Sequence, residues 1–214
     1  MSATKQAVVL TVPESPKRVL IAEDEHLVAI ELTRSLASTG LTTVGPVNSG
    51  DAAITLAATT SPDIALLDVN MPGRSGISVA KELFETRDIP SIIISAYSDE
   101  EFIKGAQESG VFAYLVKPVA EEQLRAAIRI AWSRYRDLIH SRVEADDLRQ
   151  RLADRRVIES AKWILVSKKQ MTEPEAMRAL QKHARDSRKT LVEVAQSLID
   201  ADTLLDPRPP SAEN

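Results

Sequence analysis

Four places between residues 23 and 117 carry side chains suited to phosphoryl chemistry. Glu23, Asp24 and Glu25 stand in a row, and Asp68 lies in Leu67-Asp-Val-Asn-Met-Pro72. Ser95 closes an Ile-rich run, and Lys117 precedes Pro118. Carboxylates brought this close repel one another unless a hard cation neutralises them, and an all-oxygen donor set favours Mg2+. A carboxylate beside Mg2+ and an ammonium can attack a phosphoryl group and become an acyl phosphate. Metal and lysine then neutralise charge developing on the transferred oxygens, and a hydroxyl at Ser95 can bond one of them. Each residue alone says little, because acids that follow strands often cap helices. All of them together, in this order, form a specific signal.

Each of these residues ends a short apolar run. Residues 19–22, 42–44, 64–67, 91–95 and 113–116 are almost continuously hydrophobic, as strands buried on both faces are. Amphipathic stretches separate them, with Gly40 and Gly110 where C-terminal caps belong and Ser98-Asp-Glu-Glu101 reading as a capping box. The alternation predicts a doubly wound α/β domain, a five-stranded parallel sheet of flavodoxin-like type with helices on both faces. In such folds function gathers outside the carboxyl ends of the strands.

Composition, 43% hydrophobic and 27% charged, is that of an ordinary globular protein. The absence of cysteine excludes disulfides and thiolate metal sites and agrees with a reducing compartment. The apolar stretch at residues 7–12 is too short for a signal-peptide core, and no run of roughly 18 apolar residues is present to span a bilayer. A cytoplasmic protein without a membrane partner is expected. The net charge of −4 is unevenly spread: residues 1–118 hold 9 basic and 15 acidic side chains, residues 119–214 hold 18 and 16. Residues 148–189 alone hold 12 basic and 5 acidic. A basic segment in an acidic chain points to an anionic partner, nucleic acid first, although a solvated helical surface carries the same bias.

After Pro118 no glycine or proline occurs until Pro174, in a stretch rich in Ala, Leu, Arg and Glu, so a long helix is predicted. Leu124, Ala131, Leu138, Ala145 and Leu152 recur every seven residues, as one core position of a coiled coil does. The companion positions Ile128, Tyr135, Arg142 and Arg149 include two arginines, so pairing should be modest or conditional. Three shorter helices are predicted beyond it, over residues 157–168, 175–184 and 191–201, with Thr172 capping and Pro174 in the first turn of the second. The proline-bearing tail should be disordered. The domain reading is therefore residues 1–15 flexible, 16–121 α/β domain, 122–154 long helical or coiled-coil linker, 155–202 three-helix output domain and 203–214 tail. His26 reads as a first-turn helix residue at the rim of the acidic cluster, and His140 and His183 lie in amphipathic stretches. No Ser-His-Asp order, zinc spacing or glycine-rich phosphate loop is present, so no enzyme activity beyond self-phosphorylation and self-dephosphorylation is expected.

Residues 16–121 resemble the receiver domains of bacterial two-component signalling. Glu23-Asp24 is similar to their acidic metal-binding pair, with Glu in place of the commoner Asp, and Asp68 in Asp-Val-Asn-Met-Pro to their phosphoacceptor. Ser95-Ala96 resembles the Thr/Ser-Ala switch, Tyr114 the switch aromatic, and Lys117-Pro118 the lysine and its usual cis proline. The resemblance implies Mg2+ held by Glu23, Asp24, Asp68 and the backbone carbonyl of Asn70, with a sensor histidine kinase as partner. It also implies a switch in which phosphorylated Asp68 draws in Ser95 and Tyr114 turns inward. The face formed by the fifth strand and the helices flanking it would then repack.

The basic region has no helix-turn-helix glycine turn and no aromatic RNA-stacking signature. Small residues at helical spacing alternate with Arg155, Arg156, Lys162, Lys168, Lys169, Arg178, Lys182, Arg185, Arg188 and Lys189, which suit phosphate contacts. From Leu152 to about Ala201 the chain resembles an ANTAR domain, in Arg156-Val-Ile-Glu-Ser-Ala-Lys162, Ile164-Leu165, Met171-Thr-Glu-Pro-Glu-Ala176, Leu180, Ala184 and Leu191-Val-Glu-Val-Ala195. The resemblance implies binding to paired hairpins in leader RNA, antitermination, and a homodimer formed on phosphorylation. Trp163 departs from it, standing where the family has glycine, and Val166 replaces the usual Met. The alternatives are a helical tail serving protein interaction or dimerisation without RNA and, less favoured, a DNA-binding factor.

Overall fold

A computed structural model describes residues 12–96 and 110–205. They form two units, divided after Ser141. In the first, strands β1 (Arg18–Ala22), β2 (Thr42–Val47), β3 (Ile64–Asp68), β4 (Ser91–Ser95) and β5 (Val111–Val116) make one parallel sheet in the order β2-β1-β3-β4-β5. Helices α1 (His26–Ala37), α2 (Gly50–Thr60) and α3 (Gly76–Arg87) connect them, and α4 (Glu121–Lys169) follows β5. Strand side chains alternate between two cores. Val19, Ile21, Ile64, Leu66, Ile92 and Ile94 meet α1 and the start of α4, whereas Leu20, Ala22, Leu67 and Ile93 meet α2 and α3. The predicted doubly wound sheet is present. The expected capping box at Ser98–Glu101 lies outside the described residues.

Helix α4 runs unbroken for 49 residues, so the segment predicted as a separate first output helix is its final stretch. No glycine or proline interrupts it. Its opening turns correct the linker expectation. Leu124, Ile128, Ala131 and Tyr135, read as coiled-coil positions, are buried within the first unit, where the sheet supplies the apolar partner that a second helix would have supplied. Leu138 and Ala145 are half-buried and Leu152 is exposed. The N-terminal segment is also corrected in part: Val12 packs on Trp132, Tyr135 and Ile139. Trp132 Nε1 donates to the Pro13 carbonyl at 3.0 Å, and an Arg136 Nη1 to that of Glu14 at 3.3 Å. These bonds hold residues 12–14 in place.

In the second unit α5 (Glu173–Ser187) and α6 (Leu191–Leu205) pack with the end of α4 around Ala161, Leu180, Ala184, Val194 and Ala195. Three alanines among five buried residues let the helices approach closely. The helix starts are capped by their own sequence. Thr172 N–H and hydroxyl both donate to Glu175 Oε2, at 2.9 and 2.7 Å, and Pro174 occupies the first turn, where no amide hydrogen is needed. Thr190 donates to Glu193 Oε2 in the same way and accepts the Glu193 N–H at 3.2 Å. Helix α6 runs to Leu205, past the predicted start of the tail at 203, and the tail beyond lies outside the described residues.

Candidate phosphoacceptor site

The strand ends bring the predicted chemistry together. Glu23 follows β1, Asp68 ends β3, Ser95 ends β4 and Lys117 follows β5. Lys117 Nζ donates to Glu23 Oε1 at 2.9 Å, Glu25 Oε1 at 3.0 Å and Asp68 Oδ2 at 3.1 Å. The Lys117 backbone N–H donates to the Ser95 carbonyl at 2.8 Å, which fixes β5 beside β4, and the Lys117–Pro118 peptide is cis. Glu23, Asp68 and Ser95 are all buried. The Asn70 N–H donates to Asp68 Oδ1 at 3.4 Å, placing residue 70 against the acid. Tyr114 lies half-buried on β5.

Glu25 joins the predicted acids. Glu23, Glu25 and Asp68 each offer a carboxylate oxygen within 4.8 Å of the others, and Asp24, exposed like Glu25, lines a cavity with Glu23, His26 and Asn48. Glu25 is the N-cap residue of α1, with an extended backbone, and its carboxylate reaches Lys117 from an exposed side chain. Its place in the acidic run Glu23-Asp24-Glu25 is the signal that pointed to it. Gly76 was not anticipated. A Cβ there would lie 2.0 Å from the Asp68 carbonyl oxygen, so only glycine lets α3 start against the strand end.

The electrostatics are those of a site short of positive charge. Burial is the largest influence on Glu23 and raises its pKa; the Asp68 charge adds to this and Lys117 opposes it. Burial disfavours the Lys117 charge too, but its hydrogen bonds to Glu23, Glu25 and Asp68 override that and raise its pKa. Glu23 Oε2 is buried and has no hydrogen-bond partner among the described residues. An orphaned carboxylate oxygen among crowded acids fits a hard, oxygen-seeking divalent cation.

The predicted output residues divide. Arg155, Arg156, Lys169, Lys182, Arg185, Arg188 and Lys189 are exposed. Lys168 pairs with Asp202 at 2.6 Å. Lys162, only 15% exposed, reaches Glu159 at 2.8 Å and Glu173 at 3.7 Å, so it fastens α5 to α4. Trp163 is 67% exposed and stands outside the bundle core.

The response regulator receiver domain family matches residues 19–129, and the ANTAR domain family matches residues 146–199. The transcriptional regulatory protein PdtaR of Mycobacterium tuberculosis (strain H37Rv) is 38% identical over 185 residues, covering 86% of this chain and 90% of that protein. The chain belongs to the receiver–ANTAR response regulators. The positive alginate biosynthesis regulatory protein of Pseudomonas aeruginosa is 39% identical, over 53% of this response regulator and 46% of its own length. Among solved structures, the receiver domain of a modulated diguanylate cyclase from Desulfovibrio desulfuricans G20 superposes with a TM-score of 0.52 at 34% identity, covering 56% of this chain and 96% of that one. This response regulator is of the two-component type and acts as an RNA-binding antiterminator. Both matched domain families are regulatory, and no helix among the described residues is long and apolar enough to cross a membrane.

Proposed function

We propose that Asp68 accepts a phosphoryl group from a cognate sensor histidine kinase and thereby controls antitermination by the ANTAR unit. The observation that carries this is the Lys117 ammonium drawn to Asp68 and two glutamates at adjacent strand ends. A carboxylate oxygen of Asp68 forms the new bond to phosphorus while the donor's leaving group departs with its bonding pair. Lys117 holds its charge beside the transferred oxygens, and the Ser95 hydroxyl turns to the phosphoryl group. Glu23, Asp24, Asp68 and the Asn70 carbonyl would hold Mg2+, which would neutralise the crowded acids. Tyr114 then moves into the space Ser95 leaves, and the surface around β5 repacks. In the cytoplasm the output is RNA held by the exposed arginines and lysines of the ANTAR unit.

Phosphorylation further favours a homodimer. With the first turns of α4 taken by the receiver core, Ala145, Leu148 and Leu152 remain as a short apolar seam. With Leu148 in place of Arg149 as the companion of Ala145 and Leu152, in a parallel pair Glu144 of one copy flanks the seam opposite Arg149 of the other. Wild type should take up label from a small phosphodonor with Mg2+ and dimerise in sedimentation, and D68N should do neither. Labelling of D68N at the wild-type level would refute the site. R149E should weaken the dimer and E144R/R149E restore it. Recovery of no RNA with the activated protein would refute the proposed RNA contacts.

A further inference from the structure

Trp163 occupies an unusual place for an indole. Its neighbours two residues to either side, Ala161 and Leu165, face the core of the ANTAR unit, so at about 100° per residue Trp163 points almost directly away from it. It is 67% exposed, although tryptophan is among the more buried side chains on average. It contributes nothing to the core it sits beside. Arg156, exposed, lies seven residues earlier on the same helix. That is two turns, roughly 20° away in azimuth and about 10 Å along the axis. An acid between them, Glu159, is already engaged by Lys162 at 2.8 Å, which leaves the strip positive around the indole.

A second copy of the chain fits this strip poorly. Beyond Leu152 the apolar seam continues into Arg155 and Glu159, charged positions that end helix pairing. A flat apolar ring with a guanidinium in line suits a polyanion with exposed bases. We infer that Trp163 is a base-stacking residue: the indole packs against an unpaired base of the bound RNA, and Arg156 holds a phosphate of the same strand. The inference rests on the RNA-binding function of the ANTAR unit and gives it a specific contact with single-stranded nucleotides.

The experiment uses the full chain activated with beryllofluoride and a fluorescein-labelled stem-loop taken from the transcripts recovered with it. Anisotropy reads RNA affinity, and acrylamide quenching of indole emission reads Trp163, because the other tryptophan, Trp132, is 5% exposed. W163A should weaken stem-loop binding roughly 5- to 100-fold, W163F should recover most of the loss, and the indole should become protected in the complex. Abasic substitution in the loop should weaken wild type equally and leave W163A with no further loss. R156A should lower the salt slope by about one unit. Wild-type affinity in W163A, or an indole still quenched in the complex, overturns the inference and leaves RNA binding standing. Protection of Trp163 by self-association without RNA overturns it in favour of a second copy. Binding of no stem-loop by any variant overturns both the inference and the RNA contacts beneath it. Circular dichroism of W163A, at an exposed position, checks that the unit folds.

Discussion

Gly76→Ala tests how tightly the phosphoacceptor is held. The added Cβ would meet the Asp68 carbonyl oxygen at 2.0 Å and its carbonyl carbon at 2.8 Å. Ordinary contact begins at about 3.4 Å, so α3 and the end of β3 must part by roughly 1.4 Å, and both obstacles are backbone, with no rotamer to relieve them. Overpacking of this kind costs about 1–3 kcal/mol, a fall in Tm of roughly 4–20 °C for a domain of this size. The displaced atoms belong to the residue that must attack, and misplacing reacting atoms by about 1 Å costs on the order of 100-fold. Phosphorylation by a small-molecule donor should slow by roughly ten- to a hundredfold, measured by phosphate-affinity electrophoresis against time. Gly40→Ala is the control: Gly40 has φ +77° but nothing within 4 Å, so it should cost about 1 kcal/mol of backbone strain and leave the phosphorylation rate unchanged. A G76A protein that melts and phosphorylates like wild type would refute the reasoning.

Lys117→Ala leaves Glu23, Glu25 and Asp68 without their ammonium, costing about 3 kcal/mol in urea unfolding with EDTA; Mg2+ should restore more stability than in wild type. An equal response to Mg2+ in both proteins would count against the cation site. Trp132→Phe keeps the ring contacts but loses the bond to Pro13, about 1 kcal/mol, and hydrogen exchange at residues 14 and 15 should quicken. Glu193 has its carboxyl pKa held below the ordinary 4.5 by the Thr190 N–H and then its hydroxyl. Its contribution is therefore full above 4.5 and lost as pH falls through the lower folded value, so E193Q should flatten the acid limb of ANTAR-unit melting and change little near neutrality.

The sheet was legible because buried parallel strands need continuous apolar runs, and because the residues ending those runs had the types and order the chemistry needs. Glu25 was harder to single out, because its reach to Lys117 depends on how the chain enters α1. The seven-residue repeat misled in its first half for a related reason. Leu124 and Ala131 show that an apolar stripe reports burial without naming the partner, and a sheet face satisfies it as well as a second helix does. The Thr172 cap and Pro174 were readable because capping is local. The bond from Trp132 to Pro13 joins residues 119 positions apart, and nothing local announces it. Lys162 looked like an RNA contact by type, yet geometry gives it two internal acids.

The unbroken run of α4 from Glu121 to Lys169 imposes a rule on insertions and deletions. Adding one residue between Ala161 and Leu165 would turn Leu165 by about 100° and move it about 1.5 Å from its place against Leu180 and Val194. Length changes in this last stretch of α4 should therefore melt the ANTAR unit unless they approach whole turns, because the helix has no loop there to absorb them.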